Sequence, residues 1–302
     1  MSSAGYCHRA YAASFAEFGT PYRLRHSDSW LLARAIPGCD DHDAMGCYPL
    51  FCCSDWSRLA ADFRNAAHDL VSVALVTDPF GKFCPDDLAG VFDSVKPWKK
   101  HLVTELDRFP PEIQHARTRR NLRKSLDRVE LEVCTHPADR LQEWNELYKQ
   151  LCRRRGITGL RAFSPGTFQA MLKVPGLVMF RAAIENQTVG LHLWMQQEGV
   201  AHGHLGATSE LGYRHMAAYA LYWFAIEHFR HNVEFLGLGA APGDDVPSDH
   251  GLFKFKQRWA TTTRTTYFCT RILDRDKYSL LVEATGTTGS QYFPAYRQGE
   301  FA

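Results

Sequence analysis

The chain has 302 residues, 45% apolar and 23% charged, which is material for one large or two modest domains with buried cores and argues against disorder. Thirty-five Lys and Arg against 33 Asp and Glu leave a formal charge of +2. That balance excludes a polybasic nucleic-acid coat and an acidic tail, while leaving room for a local basic patch. No apolar run approaches the ~20 residues that cross a bilayer. The opening MSSAGYCHRAYAASFAEF lacks the charged, apolar and small-residue order of an export signal, so a cytoplasmic location is expected. Nine cysteines without a CxxC fit a reducing compartment. The densest stretch, Cys39 to Cys53 with His42 and Asp43, lacks the close ligand pairs of a zinc site. These cysteines read as core or loop residues, and no metal is expected.

In chain order, Ser29–Ile36 and Cys47–Cys53 look like strands, and Trp56–Ala67 has apolar residues at helical spacing. Val71–Val76 is β-branched and continuous, as in a strand buried on both faces. Asp86–Val95 reads as a helix and His101–Leu106 as a strand, before a break at Pro110-Pro111. A basic helix is expected over Glu112–Arg128, then a strand at Glu130–Cys134 and a helix over Ala138–Arg154. Ser164 followed by Pro165 marks the start of a short helix to Leu172. Three strands, Val178–Glu185, Thr188–Gln196 and Gly199–Gly206, form an antiparallel meander, with turns at Asn186-Gln187 and Gln197-Glu198. Tyr213–Arg230 reads as one amphipathic helix, Val233–Leu238 as a strand, Leu252–Ala260 as a short helical element and Thr265–Leu273 as the closing strand. The tail to Ala302 is Gly- and Thr-rich.

A meander, then a helix, then a strand differs from a doubly wound nucleotide fold and matches the order of a GNAT-type acyltransferase domain. Three stretches sharpen the match: AHGHLGATSELGYRHMAAYALYWFAIEHFRHN, VEFLGLGAAPG and HGLFKFKQRWA. Together they resemble the C-terminal half of the FemABX-type aminoacyl transferases and the acetyltransferase-like domains grouped with them. The Phe255-Lys256 pair precedes Trp259-Ala260, where the family has an aromatic residue and glycine, and the basic Arg117–Arg128 stretch resembles its RRN-type helix. The resemblance spans about residues 110–273. It implies an α/β (α+β) chain of two GNAT-like acyltransferase folds in tandem, with mixed sheets flanked by helices. A degenerate N-terminal half would occupy residues 1–110, and a C-terminal acyltransferase domain with its tail residues 111–302.

The implied reaction is amide formation on an amine acceptor. FemABX enzymes move an aminoacyl group from aminoacyl-tRNA to a peptidoglycan-precursor peptide; their relatives use acyl-CoA. The donor would be a co-substrate, either aminoacyl-tRNA or acyl-CoA, with no permanently bound cofactor. An acyl-CoA-dependent N-acetyltransferase and a non-catalytic GNAT-fold binding module are the alternatives. Lys256 corresponds to the lysine implicated in stabilising the tetrahedral oxyanion, a role for which a fixed cation is suited. His202 and His204 lie two apart on one strand face, and a neutral His204 there could take the amine's proton. Tyr213, Arg214 and His215 would open the long helix, where free N–H groups favour an anionic donor. The SELGYRH sequence lacks the RxxGxG/A spacing of a CoA-pyrophosphate loop.

Arg120, Arg123 and Lys124 lie among six basic residues in the twelve from Arg117 to Arg128, a stripe suited to tRNA phosphates or a diphosphate-linked acceptor. Tyr219 and Lys254 complete the candidate substrate-binding set. Gly237–Gly243 has the wrong spacing for a dinucleotide fingerprint and reads as a loop lining the cleft; P-loop, GxSxG and HExxH motifs are absent from the sequence.

Overall fold

The computed structural model describes residues 4–110, 113, 115–159, 162–240 and 251–300. In chain order the elements are α1 (Arg9–Ser14), β1 (Thr20–Leu24), β2 (Ser29–Ala35), β3 (His42–Gly46), α2 (Leu59–Ala66), β4 (Ser72–Val76), α3 (Pro85–Ala89) and β5 (Ser94–Glu105). Then come α4 (Ala116–Leu126), β6 (Glu130–Val133), α5 (Leu141–Arg155), α6 (Pro165–Met171), β7 (Leu177–Ile184), β8 (Gln187–Gln197) and β9 (Val200–Thr208). Last are α7 (Glu210–Arg214), α8 (Ala217–Phe229), β10 (Phe235–Gly239), α9 (Gly251–Gln257), β11 (Thr262–Ile272) and α10 (Arg275–Ala284).

Two compact units emerge, and they interleave along the chain. One comprises Met1–Gly5 with Lys99–Arg264; the other comprises Tyr6–Trp98 with Thr265–Ala302. The sequence breaks near Pro110-Pro111 suggest a single cut, whereas the units exchange the chain at three places, 5/6, 98/99 and 264/265, and residues 265–302 join the N-terminal segment.

The discontinuous unit holds strands in the order β1-β2-β3-β4-β11, with β3 and β4 parallel and the other pairs antiparallel. Its core gathers Leu31, Phe51, Trp56, Phe63, Val73 and Cys269. The buried Arg297 guanidinium is bidentate on buried Asp43, at 2.5 Å from Oδ2 and 3.0 Å from Oδ1, and also donates to the Ala35 carbonyl at 2.7 Å. Tyr296 adds a hydroxyl contact to the same carboxylate at 3.1 Å and another to Ser72. The hydrogen bonds satisfy both desolvated charges, the condition under which a buried pair is tolerated.

Two expectations fail in this unit. Cys47–Cys53 is not a strand: the strand is β3, and the following segment makes only isolated bridges at Phe51 and Cys53, because Pro49 lacks the N–H that a ladder needs. Asp86–Val95 is not a helix throughout: α3 stops at Ala89 with Gly90 as its cap, and β5 has begun at Ser94.

In the unit built on Lys99–Arg264 the strand order is β5-β10-β9-β8-β7-β6. Hairpins β7–β8 and β8–β9 each use two left-handed residues, Glu185-Asn186 and Glu198-Gly199, the turn whose twist matches the strands. The turns therefore fall one residue from the expected positions. α8 and α4 cover one sheet face over Phe180, Trp194, Ala201, Leu236 and Leu238.

The single helix expected over Tyr213–Arg230 is two. α7 ends at Arg214, Met216 takes a left-handed conformation (φ 57°), and α8 starts at Ala217. α7 is held close to β8 by Gly212, where a Cβ would collide with the Val189 carbonyl and lie 2.7 Å from Thr208 Cγ2. Gly212→Ala is expected to cost about 1–3 kcal/mol, seen as a fall of several degrees in melting temperature; an unchanged melting curve would contradict this packing.

Candidate active site

β10 runs parallel to β9 for three pairs, Phe235↔Val200, Leu236↔Ala201 and Gly237↔His202. Pairing then stops. β9 continues along β8 to Thr208, while β10 continues along β5 to Gly239, so the two strands part at their C-terminal ends. Both arms are irregular. On β9 the register slips opposite Leu193 and Trp194, leaving His204 as the extra residue; on β10 it slips between Gly237 and Gly239. Ends of parallel strands that separate in this way are where α/β sheets receive ligands.

Lys256 reaches this place from α9. The helix is anchored one turn later by Trp259, which is fully buried; its carbonyl accepts from Thr104 Oγ1 at 2.8 Å, and Thr261 N donates to the Val103 carbonyl at 2.8 Å. The Lys256 ammonium lies against Gly239, close enough that a Cβ there would sit 3.3 Å from Nζ. Gly239 has φ +78°, so glycine is favoured on both counts. The Lys256 side chain is half-buried, and among the described residues it makes no ion pair or hydrogen bond. Burial pushes its ammonium down to about 8.

Among the described residues, the Lys256 charge acts on two imidazoles, those of His101 and His192. His101 is half-buried on β5 and falls to about 3, first through burial and then through the charges of Lys256, His202 and Lys99. His192 on β8 falls to about 3 through burial and Lys256. His204 falls to about 3 through burial and His202. The His192 ring lies over Gly206, where any Cβ would strike it, and edge-on to Tyr222 at 5.2 Å. Tyr222 in turn stacks with Trp259. The imidazoles on which the Lys256 charge acts thus stay uncharged near neutral pH.

The other expected site residues fall in different surroundings. The Tyr219 hydroxyl accepts from Arg258 at 2.7 Å and its ring packs on Phe255, beside Lys256. Lys254 is exposed. Tyr213, Arg214 and His215 do not open a long helix; they close α7, and the amides of Tyr213 and His215 are taken by the Ser209 and Leu211 carbonyls. Tyr213 is exposed, with the Arg154 guanidinium 4.3 Å over its ring. Arg120, Arg123 and Lys124 project from α4 into solvent, away from its buried Thr118, Leu122 and Ser125.

Among the described residues, none of the six basic side chains of Arg117–Arg128 joins an ion pair. The nearby Arg140 and Arg181 are both bound to Glu132 and Glu143. Of the Gly237–Gly243 loop, residues 241–243 lie outside the described residues. A hollow of about 630 Å³ lined by Glu105, Arg108, Arg230 and Glu234 lies at the opposite end of β10, and none of these candidates lines it.

His101 and His192 escaped the sequence reading. The signal available was weak: a histidine interrupting an apolar run, as in Leu191-His192-Leu193, without a motif to single it out.

The parted strands, the meander and the helix between β9 and β10 define a GNAT-type acyltransferase fold, and residues 114–244 match the family model described as an acetyltransferase (GNAT) domain. The whole chain has the architecture of tandem GNAT-like folds. The crystal structure of FemX is similar over 90% of this chain and 93% of its own, with a TM-score of 0.68 and 13% identity. L-PGS from Bacillus licheniformis matches over 96% and 100%, TM-score 0.60, 13% identity. The C-terminal domain of a putative lysylphosphatidylglycerol synthetase from Agrobacterium fabrum matches over 93% of each chain, TM-score 0.58, 16% identity. No curated protein sequence matches the chain. No helix among the described residues is long and apolar enough to cross a membrane.

The buried imidazoles bear on stability. Their folded values near 3 lie below the unfolded value of ~6.5, so only the unfolded chain binds these protons as pH falls between the two. Stability is therefore full above about 6.5 and declines progressively toward 3. Urea unfolding at pH 7.5 and 5 is expected to show a loss on the order of 1–2 kcal/mol for each such imidazole, and His204→Asn should flatten the dependence.

Proposed function

We propose that the protein transfers an activated acyl group to an amine, with Lys256 stabilising the oxyanion of the tetrahedral intermediate. The observation that carries this reading is the half-buried ammonium at the parting of β9 and β10, with no anionic partner among the described residues. Such a charge is held at a cost unless an anion arrives. An anion that exists only during reaction fits the site best, since binding it lowers the barrier rather than stabilising the resting complex.

The amine nitrogen bonds to the carbonyl carbon and the π pair moves to oxygen beside Lys256. That pair then returns as the bond to the leaving oxygen or sulfur breaks. The amine's proton ends on the leaving group, by way of water or an imidazole. His204 could serve as the base, although an imidazole held near 3 is a weak proton acceptor.

The donor is proposed to be aminoacyl-tRNA. The likeness to FemX and to lysylphosphatidylglycerol synthetases supports an aminoacyl group, with a peptidoglycan-precursor-like or lipid-borne amine as its acceptor class. At Tyr213 and His215 the backbone amides are already spent inside α7, which speaks against a CoA pyrophosphate held by that turn. The basic face of α4, whose Arg120, Arg123 and Lys124 join no ion pair among the described residues, supplies contacts for phosphates. Incubation with bulk charged tRNA or an acyl-CoA mixture and a panel of amines, followed by mass measurement of products, tests the reading. Loss of product on adding ribonuclease would assign the tRNA donor, and persistence would assign CoA.

Lys256→Met is expected to lower kcat about 10²–10³-fold with donor binding retained; full activity in this variant would refute the assignment. The charged form is lost as pH rises through about 8, so the rate should decline above that value. Lys256→Arg should move this decline upward, because guanidinium keeps its proton. Replacing Arg120, Arg123 and Lys124 together by Ala should raise KM for a tRNA donor and reduce the salt dependence of binding, leaving kcat little changed.

A further inference from the structure

We infer that His101 is a second hydrogen-bond donor to the oxyanion, sharing it with Lys256. The inference rests on the acyl-transfer reading above and adds a catalytic residue to the same site.

The sheet register places the residue. Leu102 pairs with Gly239, the last residue of β10, so His101 is the next residue of β5, just past the end of its neighbour. Val103 pairs with Gly237, which pairs with His202. His101, two residues from Val103, therefore shares the sheet face of His202. The Lys256 ammonium comes to the same strand end at Gly239. Both Lys256 and His202 act electrostatically on His101, which agrees with that placement.

His101 is half-buried, whereas His192, His202 and His204 are buried. It is thus the imidazole of the group with access to a substrate. Among the described residues its ring makes no hydrogen bond.

Burial and the adjacent ammonium keep the ring uncharged, which suits a donor that polarises a carbonyl without releasing its proton. In the step itself the C–N bond forms and the carbonyl π pair moves to oxygen, between the Lys256 N–H and the His101 N–H. When the C–O or C–S bond breaks, the pair returns to the carbonyl and the amine's proton goes to the leaving group. His101 ends as it began.

The test compares His101→Ala, His101→Asn, His101→Gln and Lys256→Met in the transfer assay, using the donor pool and amine that give product with the unaltered chain. His101→Ala should lower kcat about 10²–10³-fold with little change in KM. Asn or Gln, which keep an N–H but cannot titrate, should recover activity to within about tenfold. Equal loss in Ala, Asn and Gln variants that melt normally would overturn the proposal in favour of proton transfer.

Full activity of His101→Ala beside a crippled Lys256→Met would overturn the role of His101 alone. Full activity of both variants, or no transfer to any amine, would overturn the reading on which it rests. Independently of turnover, the His101 ring resonance should titrate at higher pH in Lys256→Met than in the unaltered chain; coincident titrations would refute the proximity.

Discussion

An ammonium held half out of water, with no opposing carboxylate among the described residues, is the constraint around which this site is arranged. Its attraction for an anion is stronger beside a packed protein wall than in bulk solvent, and its own tendency to shed the proton rises for the same reason. Burial lowers Lys256 to about 8 and no further, so the charge survives at neutral pH. Among the described residues the groups on which its charge acts are chosen accordingly: the His101 and His192 imidazoles stay neutral, and the aromatic rings packed about α9 carry no charge.

The fold supplies the rigidity this arrangement requires. Thr104 and Val103 of β5 fasten the end of α9 through Trp259 and Thr261, and β10 ends on a glycine because Lys256 occupies the space a side chain would need. Both arms of the parted strands carry register slips. Such irregularities weaken a ladder locally and are retained where a side chain must be re-aimed. The same region also has a glycine beneath the His192 ring, which allows the imidazole to lie flat on the neighbouring strand.

Much of this architecture was legible in the sequence because local signals and global fold agreed. The meander, the Ser164 cap, the terminal lysine element and the family's motif around Lys256 each had a short-range signature. What escaped did so for physical reasons. The break between α7 and α8 depends on Met216 adopting a left-handed conformation and on a contact between Gly212 and Val189, neither of which alters hydrophobic periodicity. Cys47–Cys53 has strand-like composition, yet Pro49 denies it a continuous ladder. His101 and His192 gain significance only through register, since strands β5 and β8 are far apart in sequence from α9. The exchange of chain between units at 5/6, 98/99 and 264/265 likewise leaves no compositional mark.

The clasp of Arg297 on Asp43 has a consequence for biosynthesis. Asp43 emerges from the ribosome about 250 residues before its guanidinium partner, and β4 waits roughly 200 residues for β11. Until then β4 lacks its neighbour β11 and Asp43 its counter-charge, whereas Lys99–Arg264 can assemble as soon as it is made, domains generally folding as units during synthesis. The half translated first is thus completed last, and a nascent chain stalled before its final segment would expose an unfinished sheet edge to chaperones.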